Sequence, residues 1–142
     1  MLVLDTDHVS ALGFSSGTNL GLLERISRSG QTAATTIVTV EEQLRGWLAE
    51  IHRLHDPGRQ MMAYDRLQRL IEFFAAWTLL PWNAEAADLF VRFRREGLRI
   101  GSMDLKIACI VLAQHGTLLT RNASDFSQVA ELRFENWLDP MA

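Results

Sequence analysis

The stretch MLVLDTDHVS (residues 1–10) decides how the rest of the chain is read. An apolar run, MLVL, stops at two acids, Asp5 and Asp7, one residue apart. The run reads as a short buried strand ended by Asp5. A helix over 7–13 follows, with Asp7 as its N-cap, because a short acidic side chain accepts the free N–H groups of a first turn. Capping then accounts for Asp7 and leaves Asp5 unexplained. A carboxylate at the end of a buried strand is expensive unless it is paired or bound to a cation.

Working outward, Leu20, Leu23 and Ile26 give one face to a helix over 18–28, stopped at Gly30. TAATTIV (32–38) is β-branched and reads as a strand. Thr39 begins a long helical stretch, closed by Asp56-Pro57-Gly58, and 59–76 is helical again. TLLPW (78–82) is a short strand, and Asn83 caps a helix that runs to Glu96 and stops at Gly97. Ser102 caps the next helix, MDLKIACIVLAQH (103–115), which is apolar nearly all round and therefore buried. TLLT (117–120) is a strand and LRFENW (132–137) an edge strand. Strands alternating with helices predict an α/β fold on a mostly parallel sheet. Ligands bind beyond the carboxyl ends of the strands in such a sheet.

At 142 residues, with 48% hydrophobic and 8% aromatic content, the chain suits a single globular domain, 1–142. No apolar run approaches a membrane span, and acids near the N-terminus argue against a secretory signal. The one cysteine, Cys109, points to a reducing cytoplasm and, inside IACIVLA, to a buried inert thiol. A net charge of −3 gives no global attraction for nucleic acid. Thirteen of the fourteen basic residues are arginine, Lys106 being the exception. That bias suits phosphate recognition and equally an arginine-rich proteome.

Three positions fall just past a strand, Asp5, Glu42, and Asp125 or the polar Asn122, and a fourth acid, Asp104, lies in the first turn of the buried helix. Each has a plain structural account except Asp5. Thr39-Val40-Glu41-Glu42 matches a capping box, and Asp104 suits the positive end of a helix. If the carboxylates converge they repel, and a hard divalent ion such as Mg²⁺ relieves the repulsion. There is no Cys/His set with zinc spacing. His52 and His55 sit at a helix end, where histidine complements the dipole, and His8 and His115 read as surface or supporting residues. No nucleophile motif, P-loop or dinucleotide fingerprint is present.

Together LDTD (4–7), TVEEQLRG (39–46), IGSMDLKIAC (100–109), TLLTRNASDF (117–126) and LRFENW (132–137) resemble the PIN-domain ribonucleases, and most of all the VapC-type toxins of toxin–antitoxin pairs. The resemblance spans nearly the whole chain in order. It implies a three-layer α/β/α sandwich and a Mg²⁺- or Mn²⁺-dependent endoribonuclease that hydrolyses RNA phosphodiesters. Asp5, Glu42 and Asp104 match the family's three core acids, as metal ligands and catalytic groups. Glu42 rather than Glu41 matches because it lies four residues before Gly46. Asp7 falls where the family often has Asp or Asn, as a cap or supporting group. Asn122 stands at the family's fourth-acid position, so a neutral amide replaces a carboxylate there. Asp125 substitutes through water, or the site runs on three acids. Thr6, Thr120 and Asn122 are expected to hold waters or a phosphate oxygen.

For the substrate, Arg92, Arg95 and Arg99 at i, i+3, i+7 predict one helical face, Arg94 points elsewhere, and Arg121 lies in the last loop. The stripe reads equally as a solvated helix face. The resemblance further implies a small antitoxin partner and a homodimer. Val9, Leu12, Phe14, Leu22 and Leu23 are candidates for the antitoxin's docking surface, with plain core the competing reading. The long helical stretch 41–80 suits a clip or dimer surface. Two other readings stay open: a non-catalytic PIN-like module binding RNA or protein, and a haloacid-dehalogenase-like phosphatase with Asp5 as nucleophile. D-T-D-H-V fits the phosphatase pattern, but that chemistry also needs a lysine and a later acid pair, and the only lysine follows Asp104 by two residues.

Overall fold

The computed structural model describes residues 1–13 and 20–138. Strand β1 (Leu2–Leu4) is followed by α1 (Thr6–Gly13) and α2 (Leu20–Ser29), which lead to β2 (Ala33–Thr36). Helices α3 (Ile37–Arg53) and α4 (Pro57–Ala75) lead on to β3 (Leu79–Leu80) at one edge of the sheet. Then α5 (Ala84–Arg95) and α6 (Ser102–Ala113) carry the chain to β4 (Thr117–Leu119) on the far side of β1. The short α7 (Ala123–Phe126) precedes the other edge strand, β5 (Arg133–Glu135). The order is β3-β2-β1-β4-β5 with every pairing parallel, so the sheet is parallel throughout rather than mostly so. Phe14 and the first residues of the helix expected from Thr18 lie outside the described residues.

Strand side chains alternate between faces, and this alternation builds two cores. Leu2 and Leu4 join Leu119, Val9, Leu22, Leu70 and Phe74 on one side. Val3 joins Ala34, Leu118 and the buried face of α6 on the other. Leu2, Val3 and Leu4 are all fully buried, as a strand covered on both faces requires. The expected three-layer sandwich follows from that covering. Val9, Leu12 and Leu22 are core residues rather than a docking surface, while Leu23 is exposed. No described helix is long and apolar enough to cross a membrane.

One expected cap holds: Asn83 accepts from the Ala86 N–H at 2.9 Å to open α5. The break at Asp56-Pro57-Gly58 also opens the next helix, Asp56 accepting from the Arg59 N–H at 3.3 Å, so α4 starts at Pro57 rather than at residue 59. Two others shift. The strand TAATTIV ends at Thr36, and α3 starts at Ile37 rather than Thr39. Thr36 is the cap: its hydroxyl accepts from the Thr39 N–H at 3.0 Å and pairs with the Thr39 hydroxyl at 3.1 Å. Both threonines are fully buried, so each hydroxyl needs that partner, and the box from Thr39 to Glu42 does not form. Ser102 is likewise not a cap. Gly101 holds that position without a side-chain bond, and the Ser102 hydroxyl accepts from Arg94 Nη2 at 3.3 Å. Thr36→Val keeps the volume and removes the cap. It is expected to cost about 1–2 kcal/mol, read as a lower denaturant midpoint.

Candidate active site

The chain leaves β1 toward β2 on one side and returns to β4 on the other, so the sheet's switch point lies between β1 and β4. Asp5 enters the crevice from β1. Its N–H donates to the Leu119 carbonyl at 3.1 Å, extending the ladder by one bond. The next residue is already helical, so Asp5 itself caps α1: Oδ1 accepts from the His8 N–H at 3.3 Å. This corrects the expectation that Asp7 is the cap. Asp7 is exposed in the first turn of α1. The junction leaves no spare residue between strand and helix, so the strand-ending acid takes the cap.

Glu42 lies inside α3, past its first turn. Freed from the capping box, its carboxylate turns to α1, and the Thr6 hydroxyl donates to Oε2 at 3.1 Å. Oε1 is buried without a hydrogen-bond partner. Burial pushes the Glu42 carboxyl above its ordinary range. The Thr6 hydroxyl opposes that rise, and the carboxylates of Asp104, Asp5 and Glu41 add to it.

Asp104, in the first turn of α6, is also pushed up, first by burial and then by the charges of Asp125 and Asp5, with Asp7 adding a little. The Asn122 amide opposes this by donating to Asp104 Oδ2 at 3.3 Å. The same amide donates to Asp125 Oδ2 at 3.0 Å. Asn122 caps α7, its carbonyl oxygen accepting from the Asp125 N–H at 3.4 Å and the Ser124 hydroxyl at 3.2 Å. Its own N–H donates to the buried Thr120 hydroxyl at 3.0 Å. The neutral amide of Asn122 therefore ties Asp104 to Asp125, and Thr120 holds Asn122 in place.

Asp5, Glu42 and Asp104 thus stand within electrostatic reach of one another. Among the described residues, no three His, Cys, Asp or Glu side chains stand in the geometry of a metal cage. The donor set is all carboxylate oxygen, and one buried oxygen, Glu42 Oε1, lacks a proton or donor to face. Both observations fit a hard divalent cation. Glu42 and Gly46 line two adjoining grooves of about 500 Å³ each, one reaching Trp47 and Arg66, the other Met103 and Asp104.

The arginines are less concerted than their spacing suggests. Helix α5 ends at Arg95, and Gly97 follows with φ +82°, so Arg99 is off the helix and shares no face with Arg92 and Arg95. Arg92 lies 3.8 Å from Glu96 and 3.6 Å from Glu131. Arg95, Arg99 and Arg121 are exposed. Arg94, expected to point away, donates to the Leu98 carbonyl at 2.9 Å and to Ser102, bracing the start of α6 two residues before Asp104.

Of the two places the sequence left open for His8, surface or support, the structure gives it the second. It is fully buried, with Nδ1 3.3 Å from Asp5 Oδ1 and Nε2 accepting from the Trp137 N–H at 3.2 Å. The available signal was its place three residues after a strand-ending acid. His52, His55 and His115 are exposed as expected. Cys109 is buried and its thiol is pushed up to about 11 by burial, in keeping with an inert core residue.

No family model matches the chain. It is 29% identical over 115 residues to ribonuclease VapC2 of Rickettsia felis, covering 81% of each protein. Its fold matches the structure of Rickettsia felis VapBC2 bound to a DNA fragment from their promoter, with a TM-score of 0.69 and 22% identity over 96% of this chain and 98% of that one. It also matches VapBC-1 from nontypeable Haemophilus influenzae, with a TM-score of 0.71 and 19% identity over 97% and 98%. In sequence over four fifths of its length, and in fold, the chain is similar to VapC-type ribonucleases.

Proposed function

We propose that this protein is a metal-dependent endoribonuclease, the toxin of a toxin–antitoxin pair acting in the cytoplasm. The observation that carries the reading is the buried, unpartnered Glu42 Oε1 beside two further carboxylates, with Glu42 and Asp104 both raised. Asp5, Glu42 and Asp104 would hold Mg²⁺ or Mn²⁺, which when bound supplies charge neutralisation and a water of lowered pKa. Thr6 orients the Glu42 carboxylate through Oε2, leaving Oε1 for the ion. Asn122 holds Asp104 through one oxygen, and Asp125 waits behind the same amide as a group reaching the site through water. The flanking grooves suit single-stranded RNA, with Arg95, Arg99 and Arg121 exposed as candidates for phosphate contact and Arg92 less so because of its acid neighbours.

The partner is an antitoxin, in keeping with the VapBC structures whose fold the chain shares. Homodimerisation is supported by large apolar side chains left exposed on α3 and α4, among them Leu48, Met61 and Ile71. Two observations weigh against the phosphatase reading. Lys106 lies over the Trp82 ring, 5.8 Å from its centre, rather than beside Asp5, and Asp5 Oδ1 is occupied by its own helix. The non-catalytic reading would be expected to lack core acids, and all three are present.

Purified protein is expected to cleave RNA with Mg²⁺ or Mn²⁺ and to lose at least about a hundredfold in rate in EDTA. Cleavage that persists at full rate in EDTA would sink this mechanism.

A further inference from the structure

We infer that His8 is a positioning residue for Asp5, resting on the ribonuclease reading above. Two donors of the same residue converge on one oxygen: the His8 N–H and Nδ1 each lie 3.3 Å from Asp5 Oδ1. The ring's other nitrogen, Nε2, receives the Trp137 N–H at 3.2 Å. A nitrogen that accepts an amide proton carries none itself, so the proton sits on Nδ1 and is donated to Asp5. The backbone of residue 137 thereby sets the tautomer that binds the acid 132 positions earlier in the chain.

Burial makes the arrangement stringent. The His8 side chain is inaccessible to solvent and the Asp5 side chain is 11% exposed, so neither nitrogen has water as an alternative partner. Trp137 is held in turn by α2, with the Arg25 guanidinium 4.2 Å from its ring centre. The result divides the Asp5 carboxylate in two. Oδ1 is committed to His8, and Oδ2 remains for the cluster with Glu42 and Asp104. A free carboxylate would rotate between these roles, and losing one outer partner of a ligating group costs about 10- to 100-fold in metal affinity or activity.

Two variants separate the halves of the link. His8→Asn keeps a donor near the Nδ1 position and loses reach to Trp137. His8→Gln places an acceptor near Nε2 and loses the donor to Asp5. With near-UV circular dichroism showing native packing, His8→Asn is expected to keep kcat within about threefold. His8→Gln is expected to lose about 10- to 100-fold in kcat and in Mn²⁺ affinity, with KM nearly unchanged. Nitrogen-15 imidazole NMR of the wild type should report the Nδ1–H tautomer at His8. An Nε2–H tautomer, or folded His8→Asn and His8→Gln proteins with equal kcat and equal Mn²⁺ affinity, would overturn the assignment. A purely structural histidine would lower Tm in both and leave kcat alone. If the wild type binds Mn²⁺ with this order of variants yet cleaves no RNA, the ribonuclease reading fails and the role of His8 stands.

Discussion

Asp104→Asn is expected to cut RNA cleavage by about 10²- to 10³-fold, some 2.7–4 kcal/mol of transition-state stabilisation, while the protein stays folded. The substitution replaces one oxygen by an amide of the same shape. Asp104 lies in the first turn of α6, and its Oδ2 accepts from Asn122. A side-chain amide oxygen serves that bond equally well, so the tie to Asn122 survives. What disappears is a negative charge and a hard anionic donor in a cluster where Asp5 and Asp125 already press on the same group. Asp5→Asn should behave alike, since the remaining Oδ1 still accepts from His8. On expression in growing cells, both variants should relieve growth inhibition. A double variant that stays toxic would show that the acids are not the cause.

The second large effect runs in the opposite direction. In EDTA at neutral pH, Asp104→Asn should raise Tm by a few degrees, on the order of 2–5 °C, over the wild type. Burial and neighbouring carboxylates hold Glu42 and Asp104 above their ordinary values, so the ionised forms oppose folding. A carboxyl raised in the folded state binds its proton more tightly there than in the unfolded chain. Stability is therefore lost as pH rises from the ordinary carboxylate value of about 4 through the raised one, and the whole loss is present at neutral pH. The advantage of Asp104→Asn should fade as pH falls through the raised value and vanish below about 4, where the wild-type group is protonated in both states. Millimolar Mn²⁺ should reverse the ranking, because an ion that binds only the folded wild type stabilises it by mass action. A wild type at least as stable as Asp104→Asn in EDTA, with no response to Mn²⁺, would remove the case for a repulsive cation site.

Much of the fold is legible along the chain because its signals are local. The β-branched run at 32–38, the break at Asp56-Pro57-Gly58, the Asn83 cap, and the apolar helix inside 103–115 each announce themselves within a few residues. The sequence also singles out Asp5, Glu42 and Asp104, through motifs in the right order. Cap assignment was harder to read. The sequence points to Asp7 and Thr39 as helix starts, and the structure uses Asp5 and Thr36 instead. The choice falls to where strand pairing ends. Leu4 faces Thr35 and Leu119 in the sheet, so helices must begin almost at once, at Thr6 and Ile37.

By itself, then, the sequence determined the alternation of strands and helices, the buried α6, and which carboxylates belong to one set. Tertiary structure decided which oxygen of each acid is committed to a neighbour. Glu42 lost its capping role because Thr36, buried against the sheet, took the cap first. Asp5 gained one, and His8 became its keeper, because Trp137 returns from the far end of the chain to fix the ring. No spacing rule reaches across that separation: the contact exists only because β5 lies beside β4 and delivers residue 137 to the buried face of α1.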